Sequence, residues 1–173
     1  MTEAVQQIRI WHPMFDPYHC GFRVLRLLTR KSPLEIESLF ILDFYLLFPF
    51  LLHMASMPES ERSKFRKLKV AKYQDQFVQV PSPQSLYRDL SVIQKTSLVG
   101  LAARGLIHSS AFQAGSAELN AASLPIKLRE RIDEANQADA PLIEFLVHQF
   151  APIGLAGPRG LRSLTGLVRR LQP

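Results

Sequence analysis

Five histidines, one cysteine and one carboxylate set in an apolar run are the side chains of this sequence best suited to acid–base, nucleophilic or metal chemistry. Their spacing does not assemble them. His12 and His19 lie seven residues apart across a helix start, and His53, His108 and His148 are scattered. No two histidines fall four apart with a carboxylate between, the spacing that sets two imidazoles and a base on one helical face. Cys20 beside His19 is not a nucleophile–base arrangement that a sequence can establish. A lone cysteine excludes an intramolecular disulfide and a cysteine-built metal cluster. Gly154, Gly157, Gly160 and Gly166 are loosely spaced and lack the Lys-Ser or Lys-Thr ending of a phosphate loop. The sequence therefore predicts no catalytic residue, no metal and no cofactor.

Two features remain. Asp43 lies between Leu42 and Phe44 in the most apolar stretch, and a buried carboxylate must be paired or hydrogen-bonded. Arg23, Arg26 and Tyr18 in the preceding helix are its candidate partners, and its expected role is structural. The second feature is positive charge. The chain carries a formal +6, and residues 59–73 hold Arg62, Lys64, Arg66, Lys67, Lys69 and Lys72 against only Glu59 and Glu61. Residues 157–173 add Arg159, Arg162, Arg169 and Arg170 with no acid. On a helix Arg62, Arg66 and Lys69 share one face with Lys72 nearby. The six cations of the first run are candidate contacts to nucleic-acid phosphates, which would make binding salt-sensitive. A solvated helix face is the alternative, since base-reading Asn and Gln are not interleaved with the arginines.

These residues must be carried by helices. Asp16-Pro17 is a helix start, with Asp16 as cap and Pro17 in the first position, and the helix runs to about Arg30. Ser32-Pro33-Leu34-Glu35 is read as a capping box that opens the apolar helix of Ile36, Leu39, Phe40, Leu42, Leu46 and Leu47. Pro49 ends or kinks it. Ser60–Lys72 is the basic helix, with Phe65 and Leu68 as its thin apolar stripe. Ser82-Pro83 opens a long helix to Arg104, stopped by Gly105 in left-handed conformation. Leu106-Ile107-His108 and Ala117–Ala122 are expected to pair as a small hairpin around the turn Gln113–Ser116. Helices follow from Leu124-Pro125 to Asn136 and from Ala140-Pro141 to Phe150. Asp16, Ser32, Asp43 and Gly105 are thus structural residues. The fold class is mainly α with a small β-hairpin, a winged-helix-like helical domain. Residues 1–15 form an N-terminal arm, 16–153 the single domain and 154–173 a basic C-terminal tail.

Hydrophobic residues make up 47% of the 173 and charged residues 21%, enough for a core and slightly short of a typical charged surface. Some apolar surface is therefore expected to meet a partner. The candidates are Ile8, Ile10 and Trp11 in the arm and Leu142, Phe145 and Leu146 in the last helix. The longest apolar run, Leu39–Leu52, is 14 residues and contains Asp43 and Pro49, too short for a bilayer of roughly 30 Å. No membrane association and a cytoplasmic location are expected, as the start of the chain carries no signal pattern.

Several stretches together resemble a family. They are Phe15-Asp16-Pro17-Tyr18-His19-Cys20-Gly21-Phe22-Arg23-Val24-Leu25-Arg26-Leu27-Leu28, then Ile41-Leu42-Asp43-Phe44-Tyr45-Leu46-Leu47-Phe48-Pro49, and Leu101-Ala102-Ala103-Arg104-Gly105-Leu106-Ile107. Ile93-Gln94, Gly160-Leu161-Arg162 and Thr165-Gly166-Leu167 add to them. This pattern resembles the middle components of bacterial three-component ABC conflict systems, as in Lamassu-type anti-phage defence. The ending Arg169-Arg170-Leu171 departs from the more aromatic end of that pattern. The resemblance implies a non-catalytic adaptor between an SMC-like ABC ATPase and an effector, a nuclease by expectation, in a complex that meets double-stranded DNA. The competing expectation is a stand-alone winged-helix transcriptional regulator, which should place a polar recognition helix before the hairpin. Here that helix offers Gln94, Lys95 and Arg104 among many apolar positions and looks more buried than exposed, which favours the adaptor.

Overall fold

The computed structural model describes residues 12–72 and 81–168; the arm residues Ile8, Ile10 and Trp11 and the cations Arg169 and Arg170 lie outside that range. Helix α1, Pro17–Arg30, begins where Asp16 Oδ1 accepts the backbone N–H groups of Tyr18 (2.8 Å) and His19 (3.3 Å). Capping satisfies donors that the first helical turn otherwise leaves unpaired. Val24, Leu25, Leu27 and Leu28 are buried, and α1 packs against every large helix of the body.

Helix α2, Ile36–Leu47, is buried on all sides from Ser38 to Leu46. Its residues are apolar nearly all round, and such a helix is stable only at the centre of a core. Pro49 ends it and opens a 3-10 segment, Pro49–Met54. Helix α4, Pro83–Ala103, is capped by Ser82 and runs unbroken. Gly105 has φ +69 and stops it, with the Leu106 N–H returning to the Leu101 carbonyl at 3.0 Å. This helix is amphipathic rather than mostly buried: Leu90, Gln94, Leu98 and Leu101 face inward while Val92 and Val99 are exposed. Helices α6, Ile126–Ala138, and α7, Ala140–Phe145, close the other side. Arg26 clamps α1 to α6: its guanidinium donates to Asn136 Oδ1 (3.0 Å), the Ala135 carbonyl (2.8 Å) and Asp139 Oδ2 (2.6 Å).

The protein is mainly helical with a small antiparallel sheet, and that sheet recruits a strand the expected hairpin did not include. Strand β1, Leu34–Glu35, pairs with β2, Ser116–Ala117, in the register Leu34 with Ala117 and Glu35 with Ser116. The expected pairing is present beside it as an antiparallel bridge of Ile107 with Leu119, flanked by the His108 N–H donating to the Glu118 carbonyl and the Asn120 N–H to the Leu106 carbonyl, both at 2.9 Å. Between them lies α5, Ser109–Gln113, and the turn at Gly115 with φ +85. The helix start at Ser32 is corrected for the same reason. Leu34 and Glu35 are taken up by the sheet, the Ile36 N–H donates to the Gly115 carbonyl at 3.1 Å, and the Ser32 hydroxyl accepts the Leu119 N–H at 2.9 Å. Ser32 therefore anchors the β segment instead of capping α2, which begins at Ile36 without a side-chain cap.

The last helix is corrected as a partner face. Phe145 and Leu146 are 4% and 0% exposed, and a π-helical turn, Leu146–Phe150, follows that also buries Val147 and Phe150. The apolar stripe of this segment is consumed by the chain's own core, and only Leu142 remains partly exposed. The segment after residue 154 folds back onto that core. Leu161 in the short helix α8, Leu161–Thr165, is fully buried and Leu167 is 5% exposed. The Arg162 guanidinium grips Glu37 of α2 bidentately at 2.5 and 2.6 Å.

Candidate functional site

The chemically richest side chains meet where α1, α2 and α4 cross. Asp43, fully buried, accepts from Arg23 Nε (2.7 Å) and Nη2 (3.1 Å) and from Gln94 Nε2 (2.8 Å). Of the three candidate partners the structure selects Arg23; Arg26 turns to α6, and Tyr18 is 77% exposed. Cys20 Sγ stands 3.7 Å from Asp43 Oδ2, and His19 Nδ1 meets Arg23 Nη1 at 2.8 Å. Cysteine, histidine and aspartate are thus close, yet the geometry is that of a structural knot. Burial, and then the Asp43 carboxylate, push the Cys20 thiol up to about 12, so no thiolate forms near neutrality. Burial, followed by the Arg23 charge, lowers the His19 imidazole below its ordinary range. The imidazole faces the guanidinium rather than the sulfur. Gln94, one of the few polar positions of the helix before the hairpin, is wholly buried, and its second amide hydrogen goes to the Phe40 carbonyl at 3.0 Å. Its Oε1 is left without a partner among the described residues. Also among the described residues, no three His, Cys, Asp or Glu side chains gather as a metal site, and no helix is long and apolar enough to cross a membrane.

The basic segment is the second candidate. Helix α3 spans Glu59–Lys67 rather than reaching Lys72. Lys69 takes a left-handed φ of +53, and Val70 turns back so that its carbonyl meets His53 Nε2 at 2.9 Å. A continued helix would set Lys69 and Lys72 below Phe65, four and seven residues on, against the core. Ending the helix keeps both ammonium groups in water, at the cost of one strained residue. The six cations consequently do not form one stripe. Lys64 bonds Gln149, and Arg66 pairs with Glu59 at 3.1 Å on the exposed surface. Arg62, Arg66 and Lys72 instead line a common cleft with His53 and Phe65. Lys67 and Lys69 are exposed.

A third feature had no signal in the sequence. Pro17, Tyr18, Gly21 and Phe22 of α1 face Ser97, Gly100 and Leu101 of α4 across an apolar groove of about 320 Å³. Small residues at Gly21, Ser97 and Gly100 open it. Arg104 closes one end, its guanidinium 5.8 Å from the Tyr18 ring centre. Phe15 and Val99 are strongly exposed, as is Ile126. The groove joins residues of α1 to residues of α4 that are far apart in sequence, so only the tertiary arrangement shows it.

With this geometry in view, the comparison with known families is informative. The profile of the ABC-three component (ABC-3C) system Middle Component 5 family matches residues 9–170, nearly the whole chain. The chain belongs to this family. The matched range includes the residues of the knot, the basic segment and the α1–α4 groove. No curated protein and no solved structure matches the chain. Membership in a multi-component system implies protein partners and gives the exposed apolar groove a natural context.

Proposed function

We propose that this middle component is a non-catalytic adaptor acting in the cytoplasm. It bridges an SMC-like ABC ATPase and an effector, a nuclease in this reading, within a Lamassu-type anti-phage or anti-plasmid defence complex. Its basic segment faces double-stranded DNA in the assembled complex. The observation that carries the reading is the family match over residues 9–170. The internal geometry supports it: in the cluster of Cys20, His19 and Asp43 the thiol and the carboxylate are buried and the thiol stays protonated. The exposed side of α4 carries Val92 and Val99 alongside Arg88, Lys95 and Thr96, a mixed apolar and polar face that suits protein contact.

Co-expression with the ATPase and effector encoded beside it tests the adaptor role. All three proteins are expected to co-elute, and leaving this chain out is expected to separate the other two. An ATPase–effector complex that forms equally well without it overturns the bridge. DNA contact is tested separately on the assembled complex. Reversing Arg66, Lys67 and Lys69 to Glu should weaken duplex binding alike for all sequences and lower its salt slope by roughly 0.9 per lost phosphate contact. An unchanged slope removes DNA from the reading and leaves the bridge standing.

A further inference from the structure

The cleft between the 3-10 segment Pro49–Met54 and α3 has two chemically distinct halves. Its floor is made by Leu52, Met57 and Phe65, which are 1%, 7% and 4% exposed and belong to the core. Its rim carries Arg62, Arg66 and Lys72, and no carboxylate among the described residues lines it. The His53 ring joins the halves. It stands edge-on to Phe65 at 4.9 Å between ring centres and is held by the Val70 carbonyl at 2.9 Å. The rim cations are only lightly engaged. Arg66 gives Nη1 to the exposed Glu59, Arg62 reaches the Ala55 carbonyl at a long 3.4 Å, and Lys72 pairs with no carboxylate among the described residues.

We infer that this cleft takes a single nucleotide, with its phosphate between Arg62, Arg66 and Lys72 and its base over His53 and the apolar floor. Guanidinium forks match phosphate oxygens bidentately, and an ammonium adds a point charge. Bases stack on aromatic rings with little regard to sequence. The size is selective. The cleft measures about 270 Å³, just below the ~300 Å³ at which small-molecule sites commonly begin. A site this small excludes a dinucleotide and limits the ligand to a single unit. A bare phosphate would leave the apolar floor unused. The inference deepens the nucleic-acid reading of the basic segment and rests on it: besides the exposed cations of α3 that face the duplex, the cleft draws in a single nucleotide. The same chemistry is offered by a free nucleotide and by an unpaired residue of a DNA strand.

Calorimetric titration of the full chain with deoxyadenosine 5′-monophosphate, deoxyadenosine and inorganic phosphate tests it directly. The monophosphate is expected to bind at least roughly tenfold more tightly than either fragment, as charge-assisted hydrogen bonds and base burial are both required. Arg62→Gln with Lys72→Gln should remove about tenfold or more of that affinity, whereas Lys64→Gln with Lys67→Gln, outside the cleft, should leave it nearly unchanged. Competition by single-stranded oligodeoxyadenylate identifies the strand as the source, and its failure to compete identifies the free nucleotide. No binding of the monophosphate, or equal losses in the two double variants, overturns the cleft. Duplex binding by the assembled complex that survives this result shows the broader DNA reading to be intact.

Discussion

Asp43 is the residue on which the centre of the fold depends most. Its carboxylate is fully buried, and Arg23 and Gln94 reach it from two other helices. Desolvating both ions is expensive, and their mutual attraction offsets this only while the pair is intact. Asp43→Ala leaves the Arg23 guanidinium buried and unpaired, with an expected cost of about 3–5 kcal/mol. Arg23→Met combined with Asp43→Leu removes both charges and should recover much of that loss. Denaturant unfolding of the two variants checks this, and an Asp43→Ala protein as stable as the parent would contradict the pairing seen here. The aspartate's need for a partner followed from its apolar neighbours in sequence. Which of the three candidates would provide it did not, because Arg23 and Arg26 lie on the same helix and differ only in which neighbouring helix each one meets.

At the scale of elements, local signals were strongest where one side chain serves its own backbone. Asp16 and Ser82 cap the helices they were expected to cap, and Gly105 stops α4 with a positive φ. They failed where a distant segment competed for the same groups. Ser32 and Leu34–Glu35 carry the pattern of a helix start, yet Ser116–Ala117 and Leu119 claim them. The segment Gly157-Pro158-Arg159-Gly160 lies in the stretch expected to be a basic tail. In the structure a Cβ on Gly160 would collide with the Ala156 and Leu155 carbonyl oxygens. Gly160→Ala must push that turn away and disturb the buried Leu161 beside it, with an expected cost of about 1–3 kcal/mol. Gly115→Ala has open space around it and only its positive φ to resist, which makes it the control for conformational strain. Comparing the two melting temperatures separates collision from strain, and a Gly160→Ala protein melting with the parent would refute the close approach.

For the molecule as a whole, the question is whether residues 154–168 act as a tail or as part of the body. Leu161 and Leu167 insert into the core, the Ser56 N–H donates to the Leu164 carbonyl at 2.8 Å, and Arg162 grips Glu37. Burying a leucine contributes about 1.5–3 kcal/mol. Ending the chain after Ile153 is therefore expected to cost about twice that and to expose apolar surface on α2 and the 3-10 segment after it. Thermal unfolding and binding of a hydrophobic dye read this out; a truncated protein with the parent's stability would make the segment a dispensable tail. The sequence by itself determined the helical class, the helix starts at Asp16 and Ser82, the buried α2 and the concentration of charge, because these depend on periodicity and on contacts within a few residues. Only the tertiary structure decided the pairing of Leu34–Glu35 with Ser116–Ala117, the division of the six cations between a cleft and open solvent, the burial of Phe145 and Leu146, and the groove between α1 and α4. Each of these depends on which distant segments compete for the same hydrogen bonds and the same apolar faces, and spacing along the chain does not encode that competition.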